Sequence, residues 1–438
     1  MSFQNAASMS PSDAWDVVIV GAGAAGLMAA YRCGARGLRT LCLEKNRKPG
    51  VKILISGGTR CNLTHDCDRR GIVEAFGSAG PFLHSALAVL GPRETTAFFN
   101  DAGLPTYVEP DTGKVFPSSD RALDVVNTLL GLVRSGGAEL AVDEPVTTIE
   151  RADAGDFRIV TTRRELRAKK LLLTTGGRSY PGCGTTGDGY RWLAALGHTI
   201  RPPRPALVPL TSAAAWVREL SGIVLPDVLL SVVAADGGAV PPSVGRRKSG
   251  LPANVLIRRR GALLFTHFGV SGLAVLDVSR AVTGASTPQS VRLEADLFPD
   301  VAESDLDESL RRAALGEPKK LAPNLVPDVV VRRVVDAVFV QADVPVDRRA
   351  AEFGNDERRR LAAALKGLRI PVSGSRGFEK AEVTAGGVSL DEVDSRTMQS
   401  KIVPNLYLAG EVLDLDGFIG GYNFQAAFST AWLAADSL

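Results

Sequence analysis

The most constraining feature of this 438-residue chain is the string WDVVIVGAGAAG at residues 15–26. Trp15–Val20 is a short, valine-rich apolar run of the kind that forms a buried parallel strand. Gly21, Gly23 and Gly26 follow it in G-x-G-x-x-G spacing, and Leu27–Ala35 reads as a helix closed by Gly37. A second apolar run, Arg39–Leu43, ends at Glu44. Strand, glycine turn, helix, strand and acid thus stand in the order that makes this common glycine string a dinucleotide fingerprint. Gly21 permits the tight turn, Gly23 lets the backbone approach a pyrophosphate, and Gly26 lets helix and strand pack closely. The helix start, with Ala24 and Ala25, offers N–H groups to phosphate oxygens. Glu44 can accept hydrogen bonds from a ribose and repels a 2′-phosphate, which favours FAD or NAD over NADP.

The remainder of the chain returns to this style twice. LLLTTGG (171–177) is a buried strand ending in small residues, and LYLAGEVLDLDG (406–417) is another that runs into a glycine–acid pair. GGYNFQAAF (420–428) opens a final helix, and strands are expected near 138–142, 145–151, 157–162 and 169–175. Ser119 reads as the N-cap of a helix over about 121–133. Four prolines within 202–209 mark a boundary. Residues 1–14 therefore read as a disordered tail and 15–198 as the first part of a nucleotide-binding domain. Residues 199–375 read as an inserted domain with helices near 303–342, and 376–438 as the second part of the first domain.

Composition excludes several classes. No run of 18 apolar residues exists, so no transmembrane helix is expected, and the polar start does not read as a secretory leader. Five irregularly spaced cysteines make no disulfide framework, which points to a reduced, cytoplasmic protein. Four histidines and no CxxC pair speak against a metal site. The net charge of +3 implies no nucleic-acid partner by itself. Two basic runs, Arg246–Arg247–Lys248 and Arg258–Arg259–Arg260, nevertheless put six cations within fifteen positions with no acid between them. They are candidate RNA-phosphate contacts, or a solvated loop. The oligomeric state is not readable.

Further strings carry a resemblance. LEKNRKPGVKILISGGTRCNLT (43–64), GKVFPSS (113–119), TTGGRSYPGCGTTGDGYRWLAALGH (174–198), FTHFGVSG (265–272), TAGGVSLDEV (384–393) and TMQSKIVPNLYLAGEVLDLDGFIGGYNFQ (397–425) are similar to the BaiN/RdsA family of NAD(P)/FAD-dependent oxidoreductases. The chain departs from that pattern at Val51, usually basic, at Thr59, usually glycine, and at Leu273, usually proline. The resemblance implies an α/β fold: a Rossmann-like FAD-binding domain of the glutathione-reductase-like type, interrupted by a β-barrel-like domain with a helical appendage. It also implies reduction of electron-poor C=C bonds, in a conjugated enone or a uracil ring of ribosomal RNA, with NADH or NADPH as a transient donor.

On this reading FAD is held by Gly21, Gly23, Ala24, Ala25, Gly26, Glu44 and Lys45. The loop contributes Lys52, Gly57, Gly58, Arg60 and Cys61, with Lys52 and Arg60 neutralising pyrophosphate. Val146 presents its backbone to the adenine. Thr175, Gly176 and Gly177 line the strand end, Gly410 and Glu411 stand by the ribitol, and Gly421, Asn423 and Phe424 start the last helix at the N1–C2=O end of the ring. His267 is the candidate proton donor to the reduced carbon, with Tyr180, Tyr422 and Glu411 behind it. A redox disulfide between Cys61 and Cys67 is rejected, because the spacing is five residues and no second fingerprint follows. An RNA-modifying reductase, an oxidase or dehydrogenase running the other way, and a non-catalytic flavin sensor remain open.

Overall fold

The computed structural model describes residues 14–152, 155–235 and 251–438. The tail read over 1–14 lies outside them apart from Ala14. The chain divides into two compact units, one of Met1–Pro203 with Val383–Leu438 and one of Arg204–Glu382.

In the first unit, β1 (Trp15–Val20) runs parallel to β2 (Thr40–Leu43) on one side and to the strand Glu165–Leu173 on the other. Glu139–Ala141 extends the sheet beyond β2, and Leu406–Leu408 adds in parallel to the far half of Glu165–Leu173. Phe157–Thr161 and Val146–Arg151 add antiparallel to its near half, giving seven strands. Over the central part of the sheet, side chains alternate between two cores. Val17, Ile19, Cys42, Leu172 and Tyr407 face one layer, while Val18, Val20, Leu41, Leu43, Leu171, Leu173, Leu406 and Leu408 face the other. Both faces are covered, which is why these strands read as unbroken apolar runs. On the first face, α1 (Ala24–Ala35) packs against the helices Ala122–Ser135 and Tyr422–Ser437. The expected cap at Ser119 is not made. Arg121 occupies the N-cap position, without a side-chain cap hydrogen bond.

The second unit begins and ends a few residues later than the sequence reading of 199–375. Three of the four prolines read as marking the boundary, Pro202, Pro203 and Pro205, lie inside the strand Ile200–Ala206, which the unit boundary cuts. Its sheet has seven strands, with Leu368–Ile370 at one end of the order and Gly374–Ser375 at the other. Seven flat strands at about 4.8 Å spacing would set those ends about 29 Å apart, whereas four Cα steps reach about 15 Å at most. The sheet therefore curls, and the segment that links its two end strands donates Ser373 N–H to Thr211 O at 2.8 Å. The helical part is longer than 303–342. Glu303–Gly316 and Arg332–Gln341 are joined by Asn355–Lys366. That last helix is strongly polar and buries little beyond Arg358, Leu361, Ala362 and Leu365, so its apolar period is faint. Arg358 is held there by Asp307 at 2.6 Å. Helices and sheet share one core, from Leu230 and Phe265 to Val338 and Leu361. Leu273 is the first residue of the helix Leu273–Thr283, behind Gly272. Proline suits that position, because its N–H has no intrahelical partner.

Two outcomes are expected. A β-carbon on Gly26 would stand 1.8 Å from the carbonyl oxygen of Gly21. Gly26→Ala should therefore destabilise the protein by about 3 kcal/mol or more in urea titration and abolish flavin retention on gel filtration. The second concerns His198, whose ring is buried between Glu392 at 3.1 Å and Ser400 at 2.9 Å. Burial holds its pKa below the ordinary 6.5 although Glu392 pulls it up. The unfolded chain then binds the proton more readily, so this contribution is complete above pH 6.5 and is lost as pH falls towards the folded value. His198→Gln should flatten the slope of the urea midpoint across that window.

Candidate cofactor site

The fingerprint turn is built by contacts that leave no room for side chains. Gly21 has φ +104°, and a β-carbon there would meet Thr174 O at 2.7 Å. Thr174 closes the turn from the neighbouring strand end, its hydroxyl donating to Gly21 O at 2.8 Å and its N–H to Val20 O at 3.0 Å. Gly23, the N-cap of α1, has no atom within 4 Å of its would-be β-carbon, so space lies open beside the helix start. Ala24 and Ala25 form the first turn of α1.

Glu44 is buried at the end of β2. One carboxylate oxygen accepts Ala22 N–H at 2.9 Å and the other accepts Asn46 N–H at 2.9 Å. Each oxygen keeps a lone pair for a ribose hydroxyl, so the residue both anchors the turn and offers acceptors. Glu144 N–H donates to Glu44 O at 3.0 Å, which ties the segment leading to Val146 to the same strand end. Val146 begins the edge strand, next to a register shift before Thr148. Lys45 donates to Thr186 and Asp188, both at 2.7 Å.

Four chain-distant segments meet at a second node. Lys52 Nζ donates to Ser179 Oγ and to a Glu411 carboxylate oxygen, both at 2.6 Å. The other Glu411 oxygen accepts Ser179 Oγ–H and Thr384 N–H at 2.9 Å each. Thr384 Oγ in turn accepts Arg178 N–H at 2.8 Å. Gly177 is pressed against this node, 2.3 Å separating its would-be β-carbon from Thr384 Oγ. Gly410 lies against Ala25, and its N–H donates to Thr430 Oγ at 3.0 Å. Ser179 and Thr384 were not singled out by sequence reasoning. Their positions in TTGGRSY and TAGGV were visible, but the pairing between those strings was not.

The two cations read as phosphate partners are paired with acids of this chain. Lys52 pairs with Glu411, and Arg60 donates to Glu109 at 3.1 Å while lying 3.9 Å over the Phe116 ring. Asn423 staples its own loop, accepting Gly417 N–H at 2.8 Å, and Phe424 rests on Phe428 with ring centroids 5.9 Å apart. The ring of His65 stacks on Tyr422 at 4.7 Å, and its Nδ1 pairs with Gly420 O at 3.1 Å, just before the last helix. Burial lowers the pKa of His65.

The glycine loop takes an unusual path. Gly57, Gly58, Thr59 and Cys61 all have φ between +55° and +70°. Cys61 is buried, which pushes its thiol up to about 12, and all five cysteines are free. No cluster of three or more potential metal ligands occurs among the described residues.

His267 belongs to the other unit. It stands exposed in the turn between the strands Val255–Thr266 and Gly269–Ser271, its ring against Phe268. Arg258, Arg259 and Arg260 lie on the first of those strands rather than in a loop. Arg258 donates to Ser231 at 2.9 Å, Arg259 pairs with Asp277 at 3.0 Å, and Arg260 is held by Asp227 and Asp300, each at 2.6 Å. Arg246, Arg247 and Lys248 lie outside the described residues.

The site fits a dinucleotide. Space is open at the helix start, carboxylate lone pairs remain at the strand end, and two buried side-chain oxygens, Asn62 Oδ1 and Thr175 Oγ1, have no partner. With the parallel strands at the centre of the sheet, these features define a Rossmann-type dinucleotide-binding fold. The chain belongs to the HI0933-like Rossmann family, whose model matches residues 15–437. It is 32% identical over 428 residues to the ribosomal RNA dihydrouridine synthase of Escherichia coli (strain K12), covering 97% of this chain and 98% of that protein. It is 30% identical to the protein of the same name in Haemophilus influenzae, covering 96% and 98%. It is 27% identical over 423 residues to the 3-dehydro-bile acid delta(4,6)-reductase of Clostridium scindens, covering 95% and 97%. No helix among the described residues is long and apolar enough to cross a membrane.

Thr59 explains one departure from the family pattern. A β-branched residue at φ +70° is strained by about 1–2 kcal/mol, a cost that glycine does not bear. Thr59→Gly should raise stability by about 1 kcal/mol after the entropy of the freer unfolded chain is subtracted, read as a higher urea midpoint at unchanged slope.

Proposed function

We propose that this protein is an FAD-dependent reductase that draws electrons from NADH or NADPH and saturates a C=C bond conjugated to a carbonyl, with a uridine of ribosomal RNA as its substrate. One observation carries the reading: the 32% identity to a ribosomal RNA dihydrouridine synthase across nearly the whole of both chains. Making dihydrouridine saturates the C5=C6 bond of the uracil ring. Uridine, NAD(P)H and a proton give dihydrouridine and NAD(P)⁺, with hydride arriving at C6 and a proton at C5. When bound, FAD supplies the two-electron relay between nicotinamide and ring.

The chain's own groups then have distinct tasks. The turn Gly21–Gly26 and the first N–H groups of α1 take the diphosphate, and Glu44 takes the adenosine ribose. The node of Lys52, Ser179, Thr384 and Glu411 presents a neutralised carboxylate to the ribitol hydroxyls. The start of the last helix would offer its positive end and free N–H groups to the pyrimidine edge of the ring. His267, whose ring carries N–H donors, is our candidate for proton delivery to C5. RNA contact through the basic runs belongs to the same proposal, although Arg259 and Arg260 already serve acids of their own unit. A cytoplasmic location is supported by the five free thiols.

Anaerobic stopped-flow absorbance tests the reading. Purified protein loaded with FAD should lose its flavin band on mixing with one of the two nicotinamides. The reduced enzyme should then recover the band with uridine-containing ribosomal RNA, whose target nucleoside gains two hydrogens by mass. Recovery with a conjugated steroid enone but not with RNA would favour the second reading, which the bile-acid reductase relative supports. A bound flavin that neither nicotinamide bleaches would sink both.

A further inference from the structure

We propose that Asn62 reads the cofactor ring: its carboxamide recognises the imide edge, O=C–NH–C=O, of the isoalloxazine. The proposal rests on the FAD reading above. Asn62 is only 8% exposed, yet its side-chain oxygen has no hydrogen-bond partner. A buried amide oxygen left without a donor destabilises the fold, and an apolar residue of the same size would remove that penalty. A donor from a bound group is the physical reason to keep an amide at this position.

Its surroundings identify the donor. The oxygen lies 2.7 Å from where a β-carbon on Gly421 would stand, and Gly421 is the N-cap of the helix Tyr422–Ser437. On the other side, the would-be β-carbon of Gly57 lies 3.0 Å from Asn62 N. The amide is therefore wedged between the glycine loop and the start of the last helix. That helix start brings N–H donors and a partial positive charge, and Asn62 adds an acceptor beside them. Phosphate carries acceptors alone and cannot satisfy both. An edge that alternates carbonyl, N–H and carbonyl satisfies both together, and within FAD that edge is the pyrimidine side of the isoalloxazine. The uracil ring of a uridine carries the same edge, so the test must separate the two.

The measurement is FAD binding to apoprotein by flavin fluorescence quenching, for wild type and Asn62→Ala, with FAD and with its 3-methyl analogue, which lacks the N–H. Asn62→Ala should weaken FAD about tenfold, the equivalent of one buried hydrogen bond. Wild type should bind the analogue about tenfold more weakly than FAD, and Asn62→Ala should bind the two equally. The urea midpoint of the apoprotein should be unchanged or higher in the variant, because a merely structural amide would lower it. Unchanged FAD affinity in Asn62→Ala overturns the proposal, and if RNA binding weakens instead, the amide belongs to the substrate ring. Equal discrimination against the analogue in both proteins overturns it too. If the variant does not fold, wild type binding both cofactors alike is sufficient to reject it. Wild-type apoprotein that takes up no FAD would remove the underlying cofactor reading, an outcome distinct from all of these.

Discussion

The carbonyl oxygen of Gly21 sits where a β-carbon on residue 26 would be, and the first unit is arranged around that contact. It draws the start of α1 down onto the end of β1. Thr174 then locks the same carbonyl from the adjacent strand, and Glu44 holds Ala22 N–H from the strand on the other side. Three neighbouring parallel strands thus converge on one turn, and the helix start faces open space. A larger residue at Gly21 or Gly26 would push these parts apart.

The second node depends on charge rather than on the absence of side chains. Lys52, Ser179 and Thr384 come from segments more than a hundred residues apart, and Glu411 lies a further 27 residues along the chain. A partly buried carboxylate is stable there because a cation, a hydroxyl and a backbone N–H all address it. The interaction also fixes the carboxylate in place, since each oxygen is engaged. Side chains held in this way are ready before a ligand arrives, which limits the ordering cost of binding. Thr59 and Cys61 show the opposite arrangement, a backbone held in the left-handed region by its surroundings.

The second unit shows how a charge run is neutralised by distant acids. Three consecutive arginines look like a basic surface, but in a strand they alternate between faces. Arg259 turns towards Asp277 on the helix Leu273–Thr283, while Arg260 meets Asp227 and Asp300. The acids that neutralise them lie between 18 and 40 residues away, beyond the reach of any local count.

What the sequence determined by itself was local. The fingerprint, β1, α1, β2 and Glu44 form one continuous stretch, so their order and spacing carried their structure, and the buried strands betrayed themselves by apolar runs. The last helix was legible for the same reason. Glycine at 57 and 58 indicated a backbone turn, although only the structure shows that Thr59 and Cys61 continue it. Tertiary structure alone decided which charges meet. Lysine and arginine can pair with any anion, and the acids that stand beside Lys52 and Arg60, Glu411 and Glu109, are specified by the fold. The exact unit boundaries, the curl of the second sheet and the unpartnered oxygen of Asn62 are also relations between distant segments, for which a single chain carries no periodic or spacing signal.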